Sequence, residues 1–320
     1  MSTRPARVVV ATCRALADGV APDHGAAAEP DDGLHSDPDA GLIAALAARG
    51  AEVAWLAWDA PAADWSAPDV VVVRSTWDYT DHLDAFVAWA DSIGDRLLNP
   101  PAIVRWNADK RYLADLAAAG LAVVPTRFVE PGDATGDLAG EVVVKPTVSA
   151  GARDTGRFGP EAHDDARALI ASIHRGGRTA MVQPYVRSVD ERGETAVVVV
   201  DGEVHHGLRK GAVLRSEGVA PVRGGGFGAA EAMYDPDLVR AAPVGEDERA
   251  FAVRVIDHVA GRFGAVPLYA RVDLVAGPDG EPMLMELELV EPDLYPAEAP
   301  GCDDRLADAI LARLDGGRPR

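Results

Sequence analysis

The sequence predicts an α/β protein built from two or three packed units, a parallel α/β unit at the N-terminus followed by two α+β units. Three observations carry this expectation. A chain of 320 residues is longer than a single hydrophobic core usually fills. Short apolar strands alternate with helices through the first third of the chain. Towards the C-terminus, two Asp-Gly pairs each separate runs of strand-forming residues, the signature of antiparallel hairpins.

The N-terminal unit is read as residues 1–104. Val8–Thr12 forms a first buried strand. Asp37-Pro38 then opens a helix, a capping residue followed by proline at the first helical position. That helix carries Leu42, Ile43 and Leu46 and stops at Gly50. Glu52–Ala57 and Asp69–Val73 are further short apolar strands, and Leu83–Ile93 is a second helix. This order implies a parallel sheet with helices on its faces. All six tryptophans lie at or before Trp106, a compositional shift that supports a boundary near Arg105. The acidic segment Asp18–Ser36 is too long for a simple connection and is expected to be a mobile lid or disordered.

The middle unit, residues 105–183, begins with a helix around Lys110–Ala119 that ends at Gly120. Strands follow at Ala122–Val129 and Glu141–Lys145, then a loop rich in small residues, Thr147–Gly159, the helix Glu161–His174 and the strand Ala180–Gln183. The last unit, residues 184–320, contains both hairpins. One turns at Asp201-Gly202 between Glu194–Val200 and Glu203–Lys210. The other turns at Asp279-Gly280 between Leu268–Ala276 and Pro282–Val290. Helices near Glu246–Phe263 and Asp304–Leu314 are expected to cover this sheet.

Composition restricts the partners. A net charge of −20 speaks against nucleic acid and against anionic membranes, both of which demand basic patches. No apolar run reaches the length of a membrane span, and the N-terminus lacks a basic patch followed by an apolar stretch. The two cysteines, Cys13 and Cys302, stand far apart without metal-ligand spacing, which fits a reducing cytoplasm. An anionic ligand would need cations gathered locally. Of 31 cationic residues only three are lysine, Lys110, Lys145 and Lys210. A lysine retained in an arginine-rich background can offer a phosphate a compact point charge, although three chance survivors would look the same.

The second hairpin gives a geometric argument. With Asp279-Gly280 as a two-residue loop, Asp273 stands opposite Glu286 and Arg271 opposite Glu288, all four on one face because side chains alternate. The other face carries Ala270, Val272 and Leu274 against Met285, Leu287 and Leu289. Opposed carboxylates repel unless a cation sits between them. Three acids and an arginine converging there suit Mg²⁺, which takes carboxylate and phosphate oxygens together. The competing reading is a solvated face in which Arg271 and Glu288 form an ordinary surface pair.

Several segments carry a family resemblance. They are RSTWDY (Arg74–Tyr79), LNPPAIVRWNADKRYL (Leu98–Leu113), VVVKP (Val142–Pro146), MVQPYV (Met181–Val186), RGE (Arg192–Glu194), HHGLRK (His205–Lys210), LYARVDLV (Leu268–Val275) and MELELVEPDLY (Met285–Tyr295). In this order, and over most of the chain, the sequence resembles the ATP-grasp superfamily. Within it, the sequence is most similar to the branch that includes the D-cycloserine-forming O-ureidoserine cyclo-ligase. The resemblance implies an ATP-grasp fold, with an N-terminal pre-ATP-grasp domain and two subdomains clasping ATP. It implies that Lys110 and Lys145 hold the α- and β-phosphates. Gln183, Pro184, Tyr185 and Val186 match the hinge that reads adenine, and Glu194 the acid that binds ribose. Thr147–Thr155, with Ser149 and Gly151, matches the loop that closes over the phosphates. Asp273, Glu286 and Glu288 match the Mg²⁺ ligands; many relatives have asparagine at the last position, so Glu288 departs from the wider pattern while fitting this branch. Lys210 and Arg271 match the catalytic cations near the γ-phosphate and the developing acyl phosphate.

The implied reaction is ATP-dependent amide formation through an acyl phosphate on a small amino-acid-like carboxylate, intramolecular if the amine belongs to the same molecule. Arg74, Asp78 and Tyr79 follow a strand of an open α/β sheet, where such sheets bind ligands, and are candidates for substrate contact. Core packing of the same segment is the alternative. Arg223, beside the glycine run Gly224–Gly228, is a further candidate contact for an anion. His205 and His206 adjoin on a strand, so they are expected to face opposite ways and not to share a metal. Two rivals keep ATP but not the amide, a small-molecule kinase on the same fold and a non-catalytic nucleotide-binding module. A dinucleotide oxidoreductase fits poorly, since no G-x-G-x-x-G follows the first strand. Whether the chain works alone or as a homodimer is left open by the sequence.

Overall fold

The computed structural model describes residues 4–18, 38–215, 217–220 and 229–315. Most of the acidic segment Asp18–Ser36, together with Asp37, Arg223 and Gly224–Gly228, lies outside the described residues.

Four parallel strands make the first sheet, β1 (Arg7–Thr12), β2 (Glu52–Ala57), β3 (Val70–Ser75) and β4 (Leu97–Leu98), in the order β2-β1-β3-β4. Successive valines of β1 and β3 alternate between two cores. Val8, Val10, Val70 and Val72 meet the helices Ala40–Ala48 and Cys302–Asp315. Val9, Val71 and Val73 meet Phe86 and Trp89 of Leu83–Ile93, with Trp58 edge-on to Phe86 at 5.3 Å. The first of these helices begins at Ala40, later than expected. Asp39 occupies the capping position but makes no cap hydrogen bond, because its carboxylate accepts the Trp55 indole N–H at 2.9 Å and the Ser75 hydroxyl.

The second sheet is antiparallel and contains β5 (Arg127–Val129), β6 (Val142–Pro146), β7 (Gly156–Phe158) and β8 (Ala180–Pro184), backed by the helix His163–Arg175. Two expectations are corrected here. The stretch read as one strand, Ala122–Val129, is divided. Its first residues leave the sheet, and the Val124 N–H bonds the Leu284 carbonyl at 2.9 Å in the neighbouring unit. The loop Thr147–Gly159 also contains a strand, β7, short because glycine and polar residues hide any period-two pattern.

In the third unit, β9 (Glu194–Val200) and β10 (Glu203–Lys210) form a hairpin, and β11 (Gly218–Val219) pairs with β7 on the edge of the second sheet. β12 (Val239–Ala241), β13 (Tyr269–Ala276) and β14 (Pro282–Glu288) complete the third sheet in the order β12-β10-β9-β13-β14. The first turn is the expected two-residue loop. Asp201 and Gly202 both have positive φ, 54° and 82°, as a primed turn requires. A bulge between Val204 and His206 then alters the alternation. His205 and His206 consequently face one another, with Nδ1 atoms 2.8 Å apart, rather than pointing opposite ways.

The second turn also differs. Gly277 bonds the Glu281 carbonyl and Gly280 has φ 86°, so the loop holds three residues, not two. A bulge between Asp273 and Leu274 restores the register, so Asp273 faces Glu286 and Arg271 faces Glu288 as expected. The displaced residue is Met285. Leu284 replaces it in the core with Val272 and Leu274, while Met285 packs with Val186, Val275 and Met283.

β14 is the edge of its sheet; the backbone of residues 122–124 pairs with Leu284, and beyond it side chains satisfy the strand. Asn107 bonds the Leu287 carbonyl at 2.8 Å and the Leu289 N–H at 2.6 Å. The Tyr112 hydroxyl accepts the Leu287 N–H at 2.9 Å, and Asn99 donates to the Leu289 carbonyl at 2.8 Å. These residues come from the segment around the helices Pro101–Asn107 and Tyr112–Ala118, the first of which was not expected.

Candidate active site

The third sheet has one graded face. Along β9, Ala196, Val198 and Val200 pack against the N-terminal unit, and Glu194 opens the same face at its polar end. Lys210 lies next to it on β10, Arg271 and Asp273 on β13, and Glu286 and Glu288 on β14.

All three lysines of the chain meet these carboxylates. Lys110, buried just before Tyr112, lies 3.2 Å from Glu286 and donates to the Ser149 carbonyl at 2.8 Å. Lys145, near the end of β6, approaches the other Glu286 oxygen at 3.4 Å. Lys210 sits 2.8 Å from Asp273 and 3.4 Å from Glu194. Arg271 holds Asp273 at 2.9 Å, pairs with Glu288 and donates to the Asp293 carbonyl at 3.1 Å. This is no solvated face, since Asp273, Arg271, Lys110 and Lys210 are all buried.

The acids therefore differ. Burial would raise Glu286, but Lys110, then Lys145 and Lys210, hold it well below the usual carboxylate range. Asp273 is held low against its burial by Arg271 and Lys210. Glu288 is raised by burial, since Arg271 is only partly able to offset it and Glu286 adds like charge. Glu291 is pushed up to about 8, by burial first and then by Glu288. Three carboxylates on adjacent strands, two of them held ionised, form an all-oxygen donor set.

Beside this set lies an apolar cluster of Val124, Val186, Val189, Val275, Met283 and Met285. Gln183 is buried on β8 and donates to the Thr126 hydroxyl at 2.9 Å. Pro184 ends that strand; the Tyr185 N–H bonds the Glu141 carbonyl at 2.8 Å, and Arg157 stacks 3.5 Å over the Tyr185 ring. Gly151, at φ 62°, packs where an added Cβ would stand 2.7 Å from Ala229. Arg153 carries the same loop to the N-terminal unit, pairing with Asp81 at 3.3 Å and bonding Thr80.

A cavity at the end of β3 is lined by Arg74, Ser75, Trp77, Glu291, Pro292 and Asp293. Arg74 donates to the Pro292 carbonyl at 3.0 Å, while its Nη1 is buried without a hydrogen-bond partner among the described residues. Tyr79 is buried against Phe86 with its hydroxyl directed at Glu291. Asp78 is turned away from this cavity, accepting the Trp58 indole N–H at 2.8 Å. Sequence reasoning missed Glu291 and Met285. The acidic run through Glu286 and Glu288 pointed towards the former; nothing local announced the bulge that displaces the latter.

A family model described as the D-cycloserine synthetase DcsG N-terminal domain matches residues 8–99. The cycloserine biosynthesis protein DcsG of Streptomyces lavendulae is 36% identical over 271 residues, covering 80% of this chain and 87% of that protein. The chain belongs to the D-cycloserine synthetase family. A crystal structure of D-cycloserine synthetase DcsG superposes with a TM-score of 0.79 at 32% identity, over 96% of this chain and 99% of that one. The D-alanine–D-alanine ligase of Bacillus anthracis complexed with ATP superposes at 0.59 with 13% identity, over 97% and 98%, a likeness of fold. The architecture is the ATP-grasp fold, and this member of the D-cycloserine synthetase family is an ATP-dependent ligase that forms a C–N bond. None of its described helices is long and apolar enough to cross a membrane.

Proposed function

We propose that the protein closes a small amino-acid-like substrate into a ring, joining its carboxylate to its own amine through an acyl phosphate. The observation that carries this reading is the continuity of the site. Three lysines and Arg271 gather at the β13–β14 carboxylates, and Glu288 and Glu291 lead from there to a cavity where Arg74 has a buried unpaired N–H. A relative named for cycloserine biosynthesis supports the substrate class.

In this reading Lys110 and Lys145 bind the α- and β-phosphates, Gln183 to Val186 receive adenine beside the apolar cluster, and Glu194 binds ribose. Asp273, Glu286 and Glu288 would hold Mg²⁺, which when bound neutralises phosphate charge; their hard oxygens and low-lying Glu286 and Asp273 fit that ion. Arg74 anchors the substrate anion, with Tyr79 backing Glu291, while Asp78 serves the packing of the N-terminal unit through the Trp58 indole. Ser149 and Gly151 close the loop over the phosphates. The substrate carboxylate oxygen attacks the γ-phosphorus and ADP leaves, while Lys210 and Arg271 stabilise the charge on the transferring group. The substrate nitrogen then attacks the acyl carbon, inorganic phosphate departs and Glu291 takes the nitrogen's proton. Arg223 is proposed as a second anion contact.

The experiment is isotopic. A substrate labelled with ¹⁸O in its carboxylate, found by screening amino-acid derivatives for phosphate release, should transfer one label to phosphate per turnover. Product forming with unlabelled phosphate would exclude the acyl phosphate. A stable phosphorylated product with no amide would favour a kinase.

A further inference from the structure

Farther along the same face of the third sheet, past Leu208 from Lys210, the bulge in β10 assembles a group that the ligase reaction does not use. One nitrogen of His205, one of His206 and the Cys302 thiol lie within 4.8 Å of one another. They come from two elements, β10 and the first residue of the helix Cys302–Asp315. Cys302 is buried and in no disulfide. The outer nitrogen of His206, Nε2, meets the Leu294 carbonyl at 2.9 Å. A carbonyl only accepts, so Nε2 carries the proton and Nδ1 presents a lone pair towards His205. Anchoring one ring nitrogen on a carbonyl is the arrangement that fixes a metal-binding imidazole.

We infer that His205, His206 and Cys302 form a site for a thiophilic divalent transition metal of the zinc class. Two imidazoles and a thiolate are borderline-soft donors that select such ions over the Mg²⁺ suited to the all-oxygen set. Binding replaces the Cys302 S–H bond with a metal–sulfur bond and releases its proton to solvent, with no change of oxidation state. Both flanks of the site bear on the segment between β14 and the last helix. His206 holds Leu294, Cys302 closes the segment, and Leu294, Pro296 and Asp303 line the Arg74 cavity. A bound ion would clamp that segment to β10.

The test titrates the metal-depleted full chain with Co²⁺, without nucleotide, and reads the absorption spectrum. A thiolate-to-cobalt charge-transfer band should rise to one equivalent and disappear on adding Zn²⁺. Cys302→Ser should abolish the band, and Cys13→Ser should leave it intact. His205→Ala should weaken binding by at least about tenfold, the scale seen when a metal site loses a supporting group. Co²⁺ held only by the carboxylates would give no charge-transfer band, and that result would overturn the inference. So would a band that survives Cys302→Ser, or unchanged affinity in His205→Ala with the fold intact by circular dichroism.

Discussion

Lys145 shows what a single side chain contributes here. It contacts Glu286 from the second sheet, so its charge links two units at the position proposed for phosphate. Lys145→Ala should weaken ATP binding or turnover at least tenfold, a charge-assisted contact being worth about 1.5–3 kcal/mol. Titration calorimetry and steady-state kinetics would check it; wild-type values would remove Lys145 from the phosphate site. Glu291 makes a prediction of opposite character. Its folded pKa, about 8, lies above the ordinary carboxylate value, so the native state binds the proton more tightly than the unfolded chain. Stability should therefore fall as pH rises from about 4.5 to 8 and level off above that window. Glu291→Gln should flatten the slope in urea melts at stepped pH, leaving the smaller part that Glu288 gives with the same sign.

At the scale of elements, the strand that carries Glu286 and Glu288 is held by amide side chains. Asn107→Ala would leave a buried carbonyl of Leu287 and N–H of Leu289 without partners, a loss of about 2–4 kcal/mol. Denaturant unfolding should show it, and loss below about 1 kcal/mol would mean that water replaces the amide readily. The hairpin also explains how much of the site was legible. Alternation alone placed Asp273 opposite Glu286, and this holds although the assumed turn was wrong, because one extra loop residue and one bulged residue cancel. Period-two reasoning counts residues and cannot see where a strand bulges. The same blindness separated His205 from His206 and assigned Met285 to the wrong face. The long periodic elements, such as Leu83–Ile93 and Glu246–Phe263, were legible because burial repeats over several turns. The strand β7 was not, having three residues and a glycine. The helix Pro101–Asn107 did carry a signal, a proline at its first turn, that was available to be read.

Across the whole molecule, the charges were the part the sequence announced most clearly. The three scarce lysines come from three separate segments and meet at one pair of strands. The N-terminal unit joins through Tyr269, whose hydroxyl donates to the Val73 and Val290 carbonyls at 2.6 and 2.9 Å. It joins a second time through Arg153, which ties the loop beside Lys110 to Thr80 and Asp81. Arg153→Ala should loosen that loop and admit water, raising substrate-independent ATP hydrolysis several-fold relative to amide formation. Comparing phosphate release with amide formed would reveal it, and an unchanged ratio would refute a sealing role.

The tie between Arg153 and Asp81 has a consequence for the pace of the cycle. On the proposed assignment, a loop fastened to the unit that carries Arg74 would cover both ends of the reacting assembly, so ADP and product would leave only after that ion pair parts. If this opening is slower than the chemistry, turnover follows the friction of the surrounding liquid. Glycerol or sucrose would then slow the native enzyme in proportion to microviscosity, and the unfastened variant would scarcely respond.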